Sequence, residues 1–218
     1  MKDGFCVLFD MDGVLVDTEA QYDIICSHIG IKYNSGIEHF EKIVKGTTMN
    51  NIIANYFTHL SGSEKQSLID DLVDFEQNMD FSEIAGATKF LKELKDNGIK
   101  TGLVTSSDNK KLEAVYKQVD FRKTVDTIVS ANRIISGKPD PMCYLLAAED
   151  LGYKPENCFV FEDSFAGLES GTQAGMIVIG LSTTHPKEFL EGKCIEIIPN
   201  FENFTLNDLR KIHAMKHN

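Results

Sequence analysis

The sequence predicts an α/β fold, a parallel sheet with helices between its strands and a long helical segment inserted after the first strand. Three observations predict it. Short apolar runs recur along the chain and end in polar or acidic residues. From about residue 84 onward they alternate with helical patterns, the order of βαβ units. Residues 17 to 82 break that alternation, with helical patterns throughout and no strong strand run. Connections in compact domains are normally short. A gap this long therefore reads as an insertion, with a helical domain at 16–83 and a Rossmann-like core built from 1–15 and 84–218. The length of 218 residues suits one main domain carrying such an insert.

Each strand has its own signal. Phe5 to Phe9 (FCVLF) is a short apolar run that reads as a buried strand. Ile99 to Val104 is a second, ending at Thr105-Ser106-Ser107, and Thr127 to Val129 is a shorter one. Cys158 to Phe161 ends at Glu162-Asp163, Met176 to Gly180 follows, and Ile195 to Ile198 is the last. Helical patterns in the core lie near 86–97, 109–118, 140–151 and 165–174. Those in the insert lie near 18–29, 36–44, 49–60 and 64–79.

Composition narrows the class of function. Hydrophobic residues make up 42% and charged residues 25%, ordinary globular usage that excludes disorder as the main state. The formal charge of −11 shows no basic footprint for nucleic acid and does not suit an anionic membrane. The five cysteines are scattered and odd in number, which points to reduced thiols in a cytoplasmic compartment. The N-terminal residues reach acids too soon for a signal-peptide core, and no apolar run is long enough for a membrane span.

Three polar features follow the carboxyl ends of expected strands, where open parallel sheets bind ligands. Asp10 and Asp12 flank Met11 after the first run, and Gly13 permits a sharp turn. Carboxylates one residue apart on extended chain point the same way. Thr105, Ser106 and Ser107 follow the second run, where hydroxyls and a helix start can hold an oxyanion. Glu162 and Asp163 bring two more acids, which repel the first pair unless a cation lies between them. Mg²⁺ suits such oxygen ligands and binds together with phosphate. Lys138 adds a point charge ahead of a helix. The set describes phosphoryl transfer, in which one aspartate can serve as nucleophile and the other as general acid and base.

The motifs FDMDGVLVDTE, LVTSS, GKPDP and VFEDSFAGLESGTQAGM, in this order, resemble the signatures of the haloacid dehalogenase-like hydrolase superfamily. The subgroup resembled is that of β-phosphoglucomutase and related sugar-phosphate phosphatases, with the helical insert where the family carries its cap. The resemblance implies Asp10 as nucleophile, Asp12 as general acid and base, and Thr105 and Lys138 as phosphate ligands. It also implies Mg²⁺ held by Asp10, the Asp12 carbonyl oxygen and Asp163, with Glu162 supporting or ligating. Asp12 favours phosphate-ester chemistry, because a leaving alkoxide needs a proton and a halide does not.

Two departures favour phosphatase over mutase. Tyr22 stands where the mutase pattern has His, and Met49 stands where it has Arg after Lys45-Gly46. A mutase must clamp a second phosphate, and Arg suits that task. Tyr22, Lys45, Gly46, Ser106, Ser107 and Asn109 are the further candidates for substrate contact. The expected partner is a small phosphate ester met by a monomeric chain. A phosphoacceptor signalling domain is the alternative of another class, since it also joins Asp, Mg²⁺, Thr or Ser and Lys on a parallel sheet. Gly167, Gly171 and Gly175 read as close packing of a helix on the sheet. His213 and His217 have metal-ligand spacing by chance.

Overall fold

The computed structural model describes residues 4–44 and 49–216. The fold is α/β and Rossmann-like. Its first strand, β1 (Cys6–Phe9), is central, and β2 (Val16–Asp17) starts the excursion into the helical insert. The insert contains α1 (Glu19–Lys32), α2 (Phe40–Val44), α3 (Met49–Tyr56) and α4 (Gly62–Gln77). The chain returns through β3 (Ser82–Glu83) to α5 (Ala87–Asp96), β4 (Thr101–Val104), α6 (Asn109–Tyr116) and β5 (Thr127–Val129). Then follow α7 (Met142–Leu151), β6 (Cys158–Glu162), α8 (Phe165–Gln173) and β7 (Ile177–Leu181). The chain ends with α9 (Lys187–Leu190), β8 (Glu196–Ile198) and α10 (Leu206–Lys216).

Six parallel strands form the main sheet in the order β5-β4-β1-β6-β7-β8. The chain first builds outward from β1 through β4 and β5, then restarts on the other side with β6. This reversal places a crevice at the carboxyl ends of the central strands.

Both faces of the sheet are covered, which explains the continuous apolar runs. Phe5, Val7 and Phe9 face a core completed by Phe90 and Leu91 of α5, Val115 of α6 and Leu209 of α10. Cys6 and Leu8 face the opposite core, with Tyr144 and Ala147 of α7 and Leu168 of α8. The phenylalanines replace any need for tryptophan: Phe9 stacks on Phe161 at 5.1 Å, and Phe90 and Phe201 pack edge-on against that pair. The five cysteines are free thiols.

The insert has a hydrophobic cluster of its own, centred on Ile29, Phe40, Phe57 and Leu68. Two features differ from the sequence reading. First, β2 and β3 pair antiparallel where chain enters and leaves the helices, with Val16 opposite Glu83 and Asp17 opposite Ser82. Strands two residues long carry no alternation to read. Second, the helix expected at 36–44 begins at Phe40, because Asn34, Gly36 and His39 adopt positive φ. Among the described residues no helix is long and apolar enough to cross a membrane.

Candidate functional site

The site begins where β1 ends. The Asp10 N–H donates to the Phe161 carbonyl at 3.0 Å, which carries the strand ladder one residue past Phe9. Met11 turns into the core and is fully buried, so Asp10 and Asp12 point together into one cavity of about 470 Å³. The Met11 carbonyl accepts the N–H groups of Leu15 and Val16, closing the turn that Gly13 permits at φ +71.

A buried ion cluster lies at the floor. Lys138 Nζ donates to Asp10 Oδ1 and, at 2.5 Å, to Glu162 Oε1. The Tyr144 hydroxyl donates to the same Glu162 oxygen at 2.7 Å. The other Glu162 oxygen accepts from the Asp163 and Ser164 N–H groups and from the Ser164 hydroxyl. Glu162 is therefore saturated by protein donors and 0% exposed. Asp163 is turned the other way, lines the cavity, and accepts from the Thr184 hydroxyl.

Oxygens of Asp10, Glu162 and Asp163 lie within 4.8 Å of one another. One ammonium among three buried carboxylates leaves negative charge uncompensated, and hard oxygen donors of this kind suit Mg²⁺. The electrostatics show the strain. Burial raises the Asp10 carboxyl to about 7; Lys138 opposes that shift, and the charges of Glu162 and Asp12 add to it. Burial, followed by the charges of Glu162 and Asp10, holds Asp163 well above the usual carboxylate range. Lys138 is shifted upward: burial disfavours its charge, but the Asp10 and Glu162 carboxylates outweigh that cost.

Asp12 has a separate set of partners. Its Oδ1 accepts from the Thr18 hydroxyl at 2.9 Å and its Oδ2 from the Ser107 hydroxyl at 3.1 Å. Lys111 Nζ reaches both oxygens at 2.7 Å. Tyr22 is brought to the same place, with its ring 4.6 Å from Lys111 Nζ and its hydroxyl donating to Glu76 Oε1 at 2.6 Å.

The other residues singled out from sequence fall as follows. Thr105 is buried at the cavity wall, and its Oγ1 accepts from the Ser107 N–H at 3.0 Å. Ser106, Ser107 and Lys138 line the same cavity. Asn109 does not; it lines a neighbouring depression, and its Oδ1 accepts from the Ser130 hydroxyl at 3.0 Å. The helix start accounts for this, because Asp108 caps α6 through the Lys110 and Lys111 N–H groups and Asn109 follows on the next face. Lys45 and Gly46 lie outside the described residues, as does His217. His213 packs its ring against Phe5 at 5.2 Å and contacts Asn157.

Sequence reasoning missed Lys111, Thr18, Tyr144 and Thr184. Lys111 had a signal: it is four residues before Val115 and adjoins Leu112, so it falls on the core-facing stripe of an amphipathic helix. Thr184 and Tyr144 carry none, since only the folded chain brings them to Asp163 and Glu162.

Comparison with known proteins gives the class. Residues 7–181 match the haloacid dehalogenase-like hydrolase family, and the chain belongs to it. A phosphorylated carbohydrates phosphatase of Thermotoga maritima is 29% identical over 214 residues, covering 94% of this chain and 98% of that one. A β-phosphoglucomutase of Bacillus subtilis is 27% identical over 197 residues, covering 83% of this chain and 84% of its own. A solved hydrolase of the family from Entamoeba histolytica shares the fold, with a TM-score of 0.85 at 23% identity and coverage of 96% and 99%.

Proposed function

We propose that the chain is a Mg²⁺-dependent phosphatase that hydrolyses a small phosphorylated metabolite of the sugar-phosphate type through a phosphate ester on Asp10. One observation carries this reading: two carboxylates, held by different lysines, line one cavity at the carboxyl end of the central strand. In this reading Asp10 attacks and Asp12 moves a proton.

In the first half-reaction an Asp10 oxygen attacks phosphorus and the bond from phosphorus to the ester oxygen breaks. Asp12 gives its proton to the departing alkoxide. In the second half Asp12 takes a proton from water, the water oxygen attacks phosphorus, and inorganic phosphate leaves Asp10 as a carboxylate. Thr105, Ser106 and Lys138 orient the phosphate oxygens. When bound, Mg²⁺ supplies further positive charge to those oxygens, with Asp10, Asp163 and the Asp12 carbonyl as its protein ligands. The full hydrogen-bond set on Glu162 suits a residue that positions Lys138 and Asp163 rather than a direct ligand.

Residues 16–83 act as the cap in this reading, moving on the β2–β3 pair to admit substrate and exclude water. The enzyme works as a cytoplasmic monomer on a soluble ester, without nucleic acid or membrane. Phosphatase is favoured over mutase because, among the described residues lining the cavity, the lysines are Lys111 and Lys138, both engaged with core acids. Met49, which stands where the mutase pattern has Arg, lines the same cavity. Family membership also counts against a phosphoacceptor signalling domain.

The test is phosphate release from sugar phosphates, nucleotides and 4-nitrophenyl phosphate, with Mg²⁺ and with EDTA. Release should need the metal and fall by at least about 1,000-fold in Asp10→Asn, the scale on which a covalent nucleophile acts. Absence of release from every ester would overturn the reading. Conversion of β-glucose 1-phosphate with a bisphosphate primer would then support the mutase.

A further inference from the structure

We propose that Lys111 is a positioning residue for the proton-transfer step, holding the Asp12 carboxyl toward the leaving oxygen and tying it to the helical insert through Tyr22 and Glu76. This rests on the phosphatase reading of the site.

Lysine is almost never buried unless its charge is paired. The Lys111 side chain is 3% exposed, and its partners converge from distant parts of the chain. Both Asp12 oxygens accept from its Nζ at 2.7 Å across 99 residues of sequence. The same Nζ donates to the Tyr22 hydroxyl oxygen, whose proton goes on to Glu76 at 2.6 Å. Tyr22 belongs to α1 and Glu76 to α4, so Lys111 is the junction between the insert and the acid. A further bond runs beside it, from Gln77 Nε2 to the Lys110 carbonyl at 3.2 Å.

The two site lysines divide the two acids between them. Lys138 holds Asp10 and Glu162, and Lys111 holds Asp12. Thr18 and Ser107 each bond one Asp12 oxygen, but a hydroxyl on a rotatable side chain cannot fix the carboxyl plane alone. Lys111, 2.7 Å from both oxygens, adds the charged contact that fixes where the carboxyl sits, and the two hydroxyls then set its plane. Because that contact is shared with Tyr22, the position of the insert sets the aim of Asp12.

In the first half-reaction, the one that kcat/KM reports, a residue that aims the acid matters only where the leaving group needs a proton; the later proton transfer from water is common to both esters. An alkoxide leaving a sugar needs one; 4-nitrophenolate does not. A lysine that merely fills a buried space would affect both esters alike.

The experiment compares kcat/KM for a sugar phosphate and for 4-nitrophenyl phosphate, each with Mg²⁺, in the unaltered enzyme, Lys111→Met and Tyr22→Phe. For Lys111→Met we expect a loss of about 100-fold on the sugar phosphate and under about 5-fold on the aryl ester, the scale of general acid catalysis. Tyr22→Phe should show the same preference more weakly, about 5-fold in the ratio. Ethylammonium added to Lys111→Ala should restore part of the sugar-phosphate rate and leave the aryl rate unmoved. Equal losses on both esters, or no loss, would overturn the proposal and leave the phosphatase reading intact. If Lys111→Met does not fold, an unchanged ester ratio in Tyr22→Phe overturns it. Release from neither ester by the unaltered enzyme would overturn both.

Discussion

A Cβ placed on Gly167 would lie 1.9 Å from the Glu162 carboxyl carbon. Nothing can occupy that space unless the carboxylate or the first turn of α8 moves. The carboxylate cannot move freely, because it holds Lys138, Tyr144 and the start of α8 together. Gly13 is a second such point, with φ +71 and a virtual Cβ 2.0 Å from Asp163 Oδ2. Gly171 is milder, since its Cβ would meet Val178 Cγ2 at 2.9 Å. Gly167→Ala should therefore cost about 2–3 kcal/mol of stability, the upper range for overpacking, and lower kcat by about 10-fold through displacement of Lys138. Gly171→Ala should cost less on both measures. Denaturant unfolding and phosphate release on the two variants check this, and equal effects would refute it. The acids and Lys138 were legible in sequence because each adjoins a strand end or a motif. Thr184 and Tyr144 were not, because their partners are set by tertiary contact alone, and Lys111 carried only its place on the core-facing stripe of α6. Gly175 was grouped with the other glycines, but at φ +76 with open space around it, it serves the turn after α8.

At the scale of the element, local signals predict most of what forms. Short runs four to six residues long became β1, β4, β6 and β7, with boundaries within about two residues, the ordinary precision of such assignments. Helix α4 starts two residues before its expected position because Ser61 and Glu64 form a reciprocal capping box. The β2–β3 pair was illegible because two residues cannot show a period. These elements separate stability from chemistry. The Ser61 cap is exposed at the start of α4, while Glu76, which joins the Asp12 network through Tyr22, stands at the other end of that helix. Ser61→Ala should cost about 1 kcal/mol, the usual worth of an N-cap, and leave kcat/KM for sugar phosphate unchanged within about twofold, as a local terminal change should. Thermal melts followed by circular dichroism read the first quantity and steady-state kinetics the second. A large kinetic effect from Ser61→Ala would show that helix ends in the insert control the site.

At the scale of the whole molecule the governing fact is charge. The chain carries a formal −11, and three acids are buried at the carboxyl ends of β1 and β6 with Lys138 between them. In the metal-free protein burial pushes Asp10 up to about 7 and holds Asp163 well above the usual carboxylate range. An acid whose folded pKa is raised holds a proton that the unfolded chain gives up. Its contribution to stability is complete below the unfolded pKa, near 3.8, and is lost as pH rises through the folded value. Lys138 is charged in both states over this range, its carboxylate partners holding it above the ordinary lysine range, and adds no slope there. The metal-free protein should therefore lose stability between about pH 4 and pH 7 from Asp10, with Asp163 acting in the same direction. A Mg²⁺ ion held there would require the same carboxylates without their protons, so its binding would strengthen over that range. At 100 times its dissociation constant a ligand adds about 2.7 kcal/mol, on the order of 5–10 °C in Tm for a chain of this size. Saturating Mg²⁺ should give that increase at pH 8 and less than about 1 °C at pH 5. Asp163→Asn should abolish the increase at both pH values and flatten the metal-free slope. A Mg²⁺ effect equal at pH 5 and pH 8, or retained in Asp163→Asn, would mean that the cation acts elsewhere on an acidic surface and not at the end of the central strands.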